Sequence, residues 1–144
     1  MTEHDIAAQL GIQTLYSKYC YGIDGNDPDL LAECFDADGV FAVGEREFAG
    51  HEAIRAIASR GGGRPRHHYL NLWVKEVDGN TAVSTAYFLV VDLESGQTAG
   101  YGHYDDQVRL HDDGAWRFER RQVNFHWQSE AYRSHTAAVT TTES

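Results

Sequence analysis

The chain has 144 residues, 42% of them apolar and 12% aromatic, enough for one domain with a packed core and an aromatic-lined interior. Its formal charge of −10 argues against nucleic acid or an anionic membrane surface as a partner, because both need clustered Lys and Arg. The N-terminus has no basic segment followed by an apolar run, and no stretch approaches the ~20 apolar residues of a membrane span. The expectation is a cytoplasmic protein in which Cys20 and Cys34 are reduced, small and buried.

In chain order, a first helix is expected from Thr2 or Glu3 to Asp24, interrupted at Gly11 and stopped by Gly25 and Asn26. Ile12, Leu15, Tyr16, Tyr19, Cys20 and Ile23 recur on one face of it. Asp24 extends that apolar face, and a carboxylate there is costly unless it is paired. Tyr21, three residues earlier, is placed to reach the same space. Asp27 and Pro28 read as the N-cap and first position of a short second helix carrying Leu30, Leu31, Cys34 and Phe35. Asp36 to Gly39 reads as a turn, and Val40 to Val43 with Glu47 to Ala49 as a hairpin around Gly44. A third helix begins at Gly50 to Glu52, with Ile54, Ile57 and Ala58 on one side. The run Gly61, Gly62, Gly63 ends it as a rim or stop, since no strand precedes it and no GK[ST] follows.

Four long strands are expected next: Arg66 to Val77, Thr81 to Leu93, Thr98 to Leu110 and Ala115 to Trp127. Turns at Asp78 to Asn80, Glu94 to Gln97 and Asp112 to Gly114 join them. In the last strand Trp116 and Phe118 share one parity, and Val123, Phe125 and Trp127 the other, so a bulge is required between Glu119 and Gln122. Residues 1–128 are read as one pocket domain and 129–144 as a polar, loose tail. Helices gathered before a meander specify an α+β fold, three N-terminal helices against a curved, mostly antiparallel sheet that encloses a pocket.

Strand parity selects the chemistry. If Leu70, Leu72 and Val74 share a face with His68, then His67, Tyr69, Asn71 and Trp73 share the other, polar and aromatic one. His67 is then the inward histidine and the natural partner for Asp24. An Asp accepting from one ring nitrogen fixes the tautomer and leaves the other nitrogen free to take a proton. The same residues also allow a purely structural buried pair, or no pair. His103 shares parity with Tyr101 and Asp105 and is placed to face the same cavity or to be a satisfied sheet histidine. His4, His51, His111 and His135 read as solvent-exposed. No HxH, HExxH or paired-Cys spacing supports a metal site from His67, His103 and an Asp, so no metal or other cofactor is expected. Arg120 and Arg121 sit where parity changes and read either as a solvated edge pair or with one turned inward, where it would hold an anionic intermediate, a leaving group or a buried carboxylate. No GxSxG and no Ser or Cys beside a base supports nucleophilic hydrolysis.

The strings IQTLYSKYCYGID, DLLAECFDADGVF, EFAGHEAI, RHHYLN, EVDGNTAV and GHYDDQVRLHDDGAWRFERRQV, with Trp127, together resemble the SnoaL-like family of the nuclear transport factor 2-like superfamily. The resemblance runs from about Ile6 to Trp127 and is closest to the scytalone dehydratase and hexachlorocyclohexane dehydrochlorinase branches. It implies a cone-like α+β barrel with a deep apolar pocket, a homodimer or homotrimer packed through the sheet, and a metal-free Asp–His dyad. On this resemblance Asp24 and His67 match the dyad, and Arg121 matches the dehydrochlorinase arginine. The dehydrochlorinase lysine falls at Tyr19, with Lys18 one place away. The expected function is a cofactor-independent lyase or isomerase acting on a small apolar, cyclic compound. His67 would abstract a proton, Asp24 would orient it, and Tyr19, Tyr21, His103, Arg121, Asn71 and Trp73 would contact the substrate. The alternative is a non-catalytic binding or accessory subunit with the same pocket.

Overall fold

The computed structural model describes residues 1–58 and 64–134; the Gly61 to Gly63 run and the tail from residue 135 onward lie outside them. Helix α1 (Glu3–Asp24) is followed by α2 (Pro28–Glu33), β1 (Phe35–Val43), β2 (Arg46–Ala49) and α3 (His51–Ala58). The long strands β3 (Pro65–Asp78), β4 (Thr81–Asp92), β5 (Thr98–Leu110) and β6 (Trp116–Gln128) complete the sheet, and residues 130–134 form a further helical turn, α4. This fourth helix, at the start of the expected loose tail, amends the reading of three helices. The six strands run in the order β2-β1-β6-β5-β4-β3, all antiparallel except the β1–β6 pair. The architecture is α+β, with a mostly antiparallel sheet.

Helix α1 begins at a capping box in which Thr2 and Asp5 exchange side-chain and backbone hydrogen bonds. It is not interrupted at Gly11. A Cβ there would lie 2.5 Å from the indole of Trp116, so this glycine serves close packing of the helix on β6. Gly22 plays the same part toward α2, where a Cβ would sit 2.9 Å from the Leu31 backbone nitrogen. β1 starts at Phe35, earlier than expected; the turn-like residues Asp36 to Gly39 are absorbed by a register shift against β6 between Phe35 and Val40.

Cross-strand pairing arranges the inner face in rows. His67 pairs with Val90 and Val90 with Gly100. The next row is Tyr69, Phe88, Gly102 and Phe125; Ala86, Tyr104 and Val123 follow, then Ser84, Asp106 and Arg121. Ile12, Leu15, Tyr16, Tyr19 and Cys20 of α1 close over these rows and form the core with them. The expected bulge in β6 is present: Gln107 pairs with Arg120 but Val108 with Phe118, leaving Glu119 as the extra residue. A second bulge, not anticipated, leaves His126 over between Phe125 and Trp127 and turns Trp127 to the outer face.

Candidate active site

Asp24 is the last residue of α1, where a carboxylate faces the negative end of the helix and the helix does nothing to stabilise it. β3 supplies the compensation. His67 Nδ1–H donates to Asp24 Oδ1 at 2.6 Å, and the His67 backbone N–H donates to Oδ2 at 2.8 Å. One carboxylate therefore holds both the ring and the main chain of His67, with the two side chains only 12% and 9% exposed. This geometry assigns the proton to Nδ1 and leaves Nε2 as the acceptor. Among the described residues no group hydrogen-bonds to Nε2. Tyr19 and the imidazole meet at right angles, with ring centroids 6.4 Å apart.

Three rows deeper lies a second polar group. Arg121 is fully buried and donates to Asp106 from Nε at 2.9 Å and from Nη2 at 2.8 Å. Asp106 also accepts from the Tyr16 hydroxyl, which lies 3.0 Å from Ser84 Oγ. Tyr16, Tyr19, Tyr104 and Phe118 surround the guanidinium at 3.7 to 4.4 Å. Burial opposes the charge on Arg121, but the Asp106 carboxylate outweighs it and holds the guanidinium above its ordinary value. Among the described residues, Arg121 Nη1 and the Tyr104 hydroxyl are buried without a hydrogen-bond partner. Of the three roles open to an inward arginine, holding a buried carboxylate is the one its geometry fits.

Several expected site residues lie elsewhere. Between Leu70 and Trp73 the β3–β4 register slips, and Asn71 takes a positive φ of 55°. The slip inverts parity, so Leu72 and Val74 turn inward while Asn71 and Trp73 turn out, Trp73 being 63% exposed. Tyr21, 75% exposed, points to solvent rather than along the Asp24 side of the helix. His103 is on the outer face, where its ring meets His126 at 2.7 Å and Asp105 at 3.1 Å. It cannot share a metal with His67, and among the described residues no cluster of three potential ligands is placed to hold one. Three histidines expected to be solvated have partners: His111 meets Asp36 at 2.5 Å, His51 the Phe35 carbonyl at 2.8 Å and His4 the Gly79 carbonyl at 2.7 Å.

Two inward residues were missed. Asp106 could have been found by the reasoning applied to Asp24, since it shares parity with Tyr104 and Val108 and so interrupts an apolar face. Tyr132 had no such signal, because it follows the last strand in a polar segment. Its ring packs edge-on against Phe125 at 5.9 Å.

An α+β sheet closed by helices, with an Asp-oriented histidine on its inner face, defines a class of pocket proteins. This chain belongs to the SnoaL-like domain family, whose profile matches residues 4–122, within the nuclear transport factor 2-like superfamily. No curated protein matches it in sequence. Among solved structures it is similar to a variant of Rv3472, a protein described as of unknown function, from Mycobacterium tuberculosis, at 26% identity and a TM-score of 0.88, covering 97% of this chain and 92% of that one. It shares the fold of a candidate scytalone dehydratase from Novosphingobium aromaticivorans (23% identity, TM-score 0.77, 90% and 91% coverage). It also shares that of a hexachlorocyclohexane dehydrochlorinase from Novosphingobium barchaimii (21%, 0.74, 87% and 90%).

Proposed function

We propose that the protein is a cofactor-independent lyase or isomerase in which His67 removes a proton from a small apolar, cyclic compound held in a cone-like pocket. The observation that carries this is the double grip of Asp24 on His67, which presents Nε2 as a fixed base. Proton abstraction makes His67 an imidazolium, and the Asp24 carboxylate beside Nδ1 stabilises that charge. Electrons left on the substrate carbon then expel a leaving group, giving elimination, or return a proton at another carbon, giving isomerisation. The dehydratase and dehydrochlorinase neighbours support this reaction group.

Deuterium uptake tests the proton step without knowledge of the natural substrate. In D2O the protein should accelerate exchange of the acidic C–H of 2-tetralone, and chloride release from hexachlorocyclohexane tests the elimination arm. His67→Gln should lower the exchange rate by about 10²–10⁴-fold with the fold intact. Asp24→Asn should lower it too, through loss of the tautomer. Exchange that proceeds equally well in His67→Gln sinks the proposal.

We also infer a homodimer or homotrimer, working in the cytoplasm and built through the outer face of the sheet. Leu70, Trp73, Tyr87, Tyr101 and Trp127 are exposed apolar side chains on that face, and a patch of this kind favours a partner surface.

A further inference from the structure

Tyr132 comes from the expected tail, yet its ring lies on the rim of the inner face. The outermost row there carries His67, Val90 and Gly100. A Cβ on Gly100 would sit 3.3 Å from two carbons of the Tyr132 ring, so the ring covers the Gly100 end of this row and glycine makes room for it. Ser129 fixes the position: its N–H donates to the Ala99 carbonyl at 2.8 Å, and its hydroxyl accepts from the Tyr132 N–H at 3.1 Å. A cavity of about 500 Å³ adjoins the ring, lined by Pro65, Ala99, Ala131 and Tyr132 itself together with the charged Arg64 and Asp92. Pro65 is two residues outward from His67 on β3, and Ala99 adjoins Gly100 on β5, so this cavity begins where the His67 row ends. Burial first and the Asp24 charge second push the Tyr132 phenol up.

We propose that Tyr132 is a specificity-determining residue: its ring is the partition between the rim cavity and the Asp24–His67 pair, and it admits to His67 only flat mono- or bicyclic compounds that pass along its face. An aromatic wall favours flat apolar rings, which stack against it, over thicker or longer molecules that would have to displace it. The inference takes the pair as the destination named under the proposed function, but it concerns access and does not require turnover.

The test uses Tyr132→Phe, which keeps the ring, and Tyr132→Ala and Tyr132→Leu, which remove it; thermal melting identifies variants that fold. Diethyl pyrocarbonate is applied to the intact chain, and carbethoxylation of His67 is followed by peptide mass spectrometry with exposed His68 as internal reference. The expected result is a several-fold faster reaction of His67 in whichever ring-less variant folds, and a wild-type rate in Tyr132→Phe. In parallel, the affinity ratio of anthrone to 1-tetralone should rise about tenfold in the ring-less variants and stay constant in Tyr132→Phe. Equal His67 rates in wild type and ring-less variants overturn the proposal. So does an effect of Tyr132→Phe as large as that of Tyr132→Ala, because the partition is intact there. Neither result touches the role of His67, which rests on His67→Gln.

Discussion

At the scale of single residues, two inward acids among the described residues have opposite arrangements. Asp24 engages a histidine whose Nε2 has no partner among the described residues, whereas Asp106 is bonded to Arg121 and Tyr16 and set among aromatic rings. The first arrangement suits chemistry and the second suits a fixed core. Removing Asp106 strands a buried guanidinium, so Asp106→Ala should cost about 3–5 kcal/mol in urea denaturation. An Asp106→Ala variant as stable as wild type would show that the pair contributes little. The thiols give a second residue-scale expectation. Burial pushes both Cys20 and Cys34 up to about 12, so neither is a thiolate near neutrality. Ellman's reagent at about pH 8, near the ordinary thiol value, should therefore titrate no cysteine in the native chain and both after unfolding; fast native reaction at either would contradict the packing.

At the scale of elements, parity decided which residues could be read in advance. His67 was legible because β3 alternates from His67 to Leu70, and the β6 bulge was legible because its aromatic residues change parity within one run. Asn71 and Trp73 were misplaced because the bulge between Leu70 and Trp73 leaves no such mark: both faces of that stretch carry large side chains. The β4–β5 turn has its own local anchor. Asp92 accepts from Arg64 at 2.9 and 3.1 Å, from the Ser95 hydroxyl at 2.7 Å and from the Ser95 N–H at 3.2 Å. The Arg64 hydrogen bonds first, then those from Ser95, hold this carboxyl below its ordinary 3.8. A lowered folded-state pKa contributes stability above 3.8 that is lost as pH falls below it. Asp92→Asn should therefore flatten the fall of stability with acid; an unchanged pH profile would show the anchor to be energetically silent. Because this carboxyl is on the surface, the effect is small.

At the scale of the whole molecule, the inner and outer faces of one sheet are both aromatic, and among the described residues the helices cover the inner face alone. Tyr87 and Tyr101 lie on the outer face beside His103, with Trp127 stacked on Tyr101 at 5.9 Å. If this face joins copies of the chain, sedimentation should give a mass above that of one chain, and Tyr87→Glu with Tyr101→Glu should reduce it to one. A wild-type chain that sediments alone would remove the oligomer from the proposal. No helix among the described residues is long and apolar enough to cross a membrane.

The sequence by itself determined the order of helices and long strands, the α+β class and the pairing candidate for Asp24. Those follow from local periodicity, turn residues and an acid on an apolar face, all of which are written along the chain. Tertiary structure alone decided the rest. It placed Arg121 on Asp106 rather than in an open pocket, turned Asn71, Trp73 and His103 away from His67, and brought Tyr132 over Gly100. A bulge reverses every side chain beyond it, and a packing contact between distant residues leaves no periodic trace.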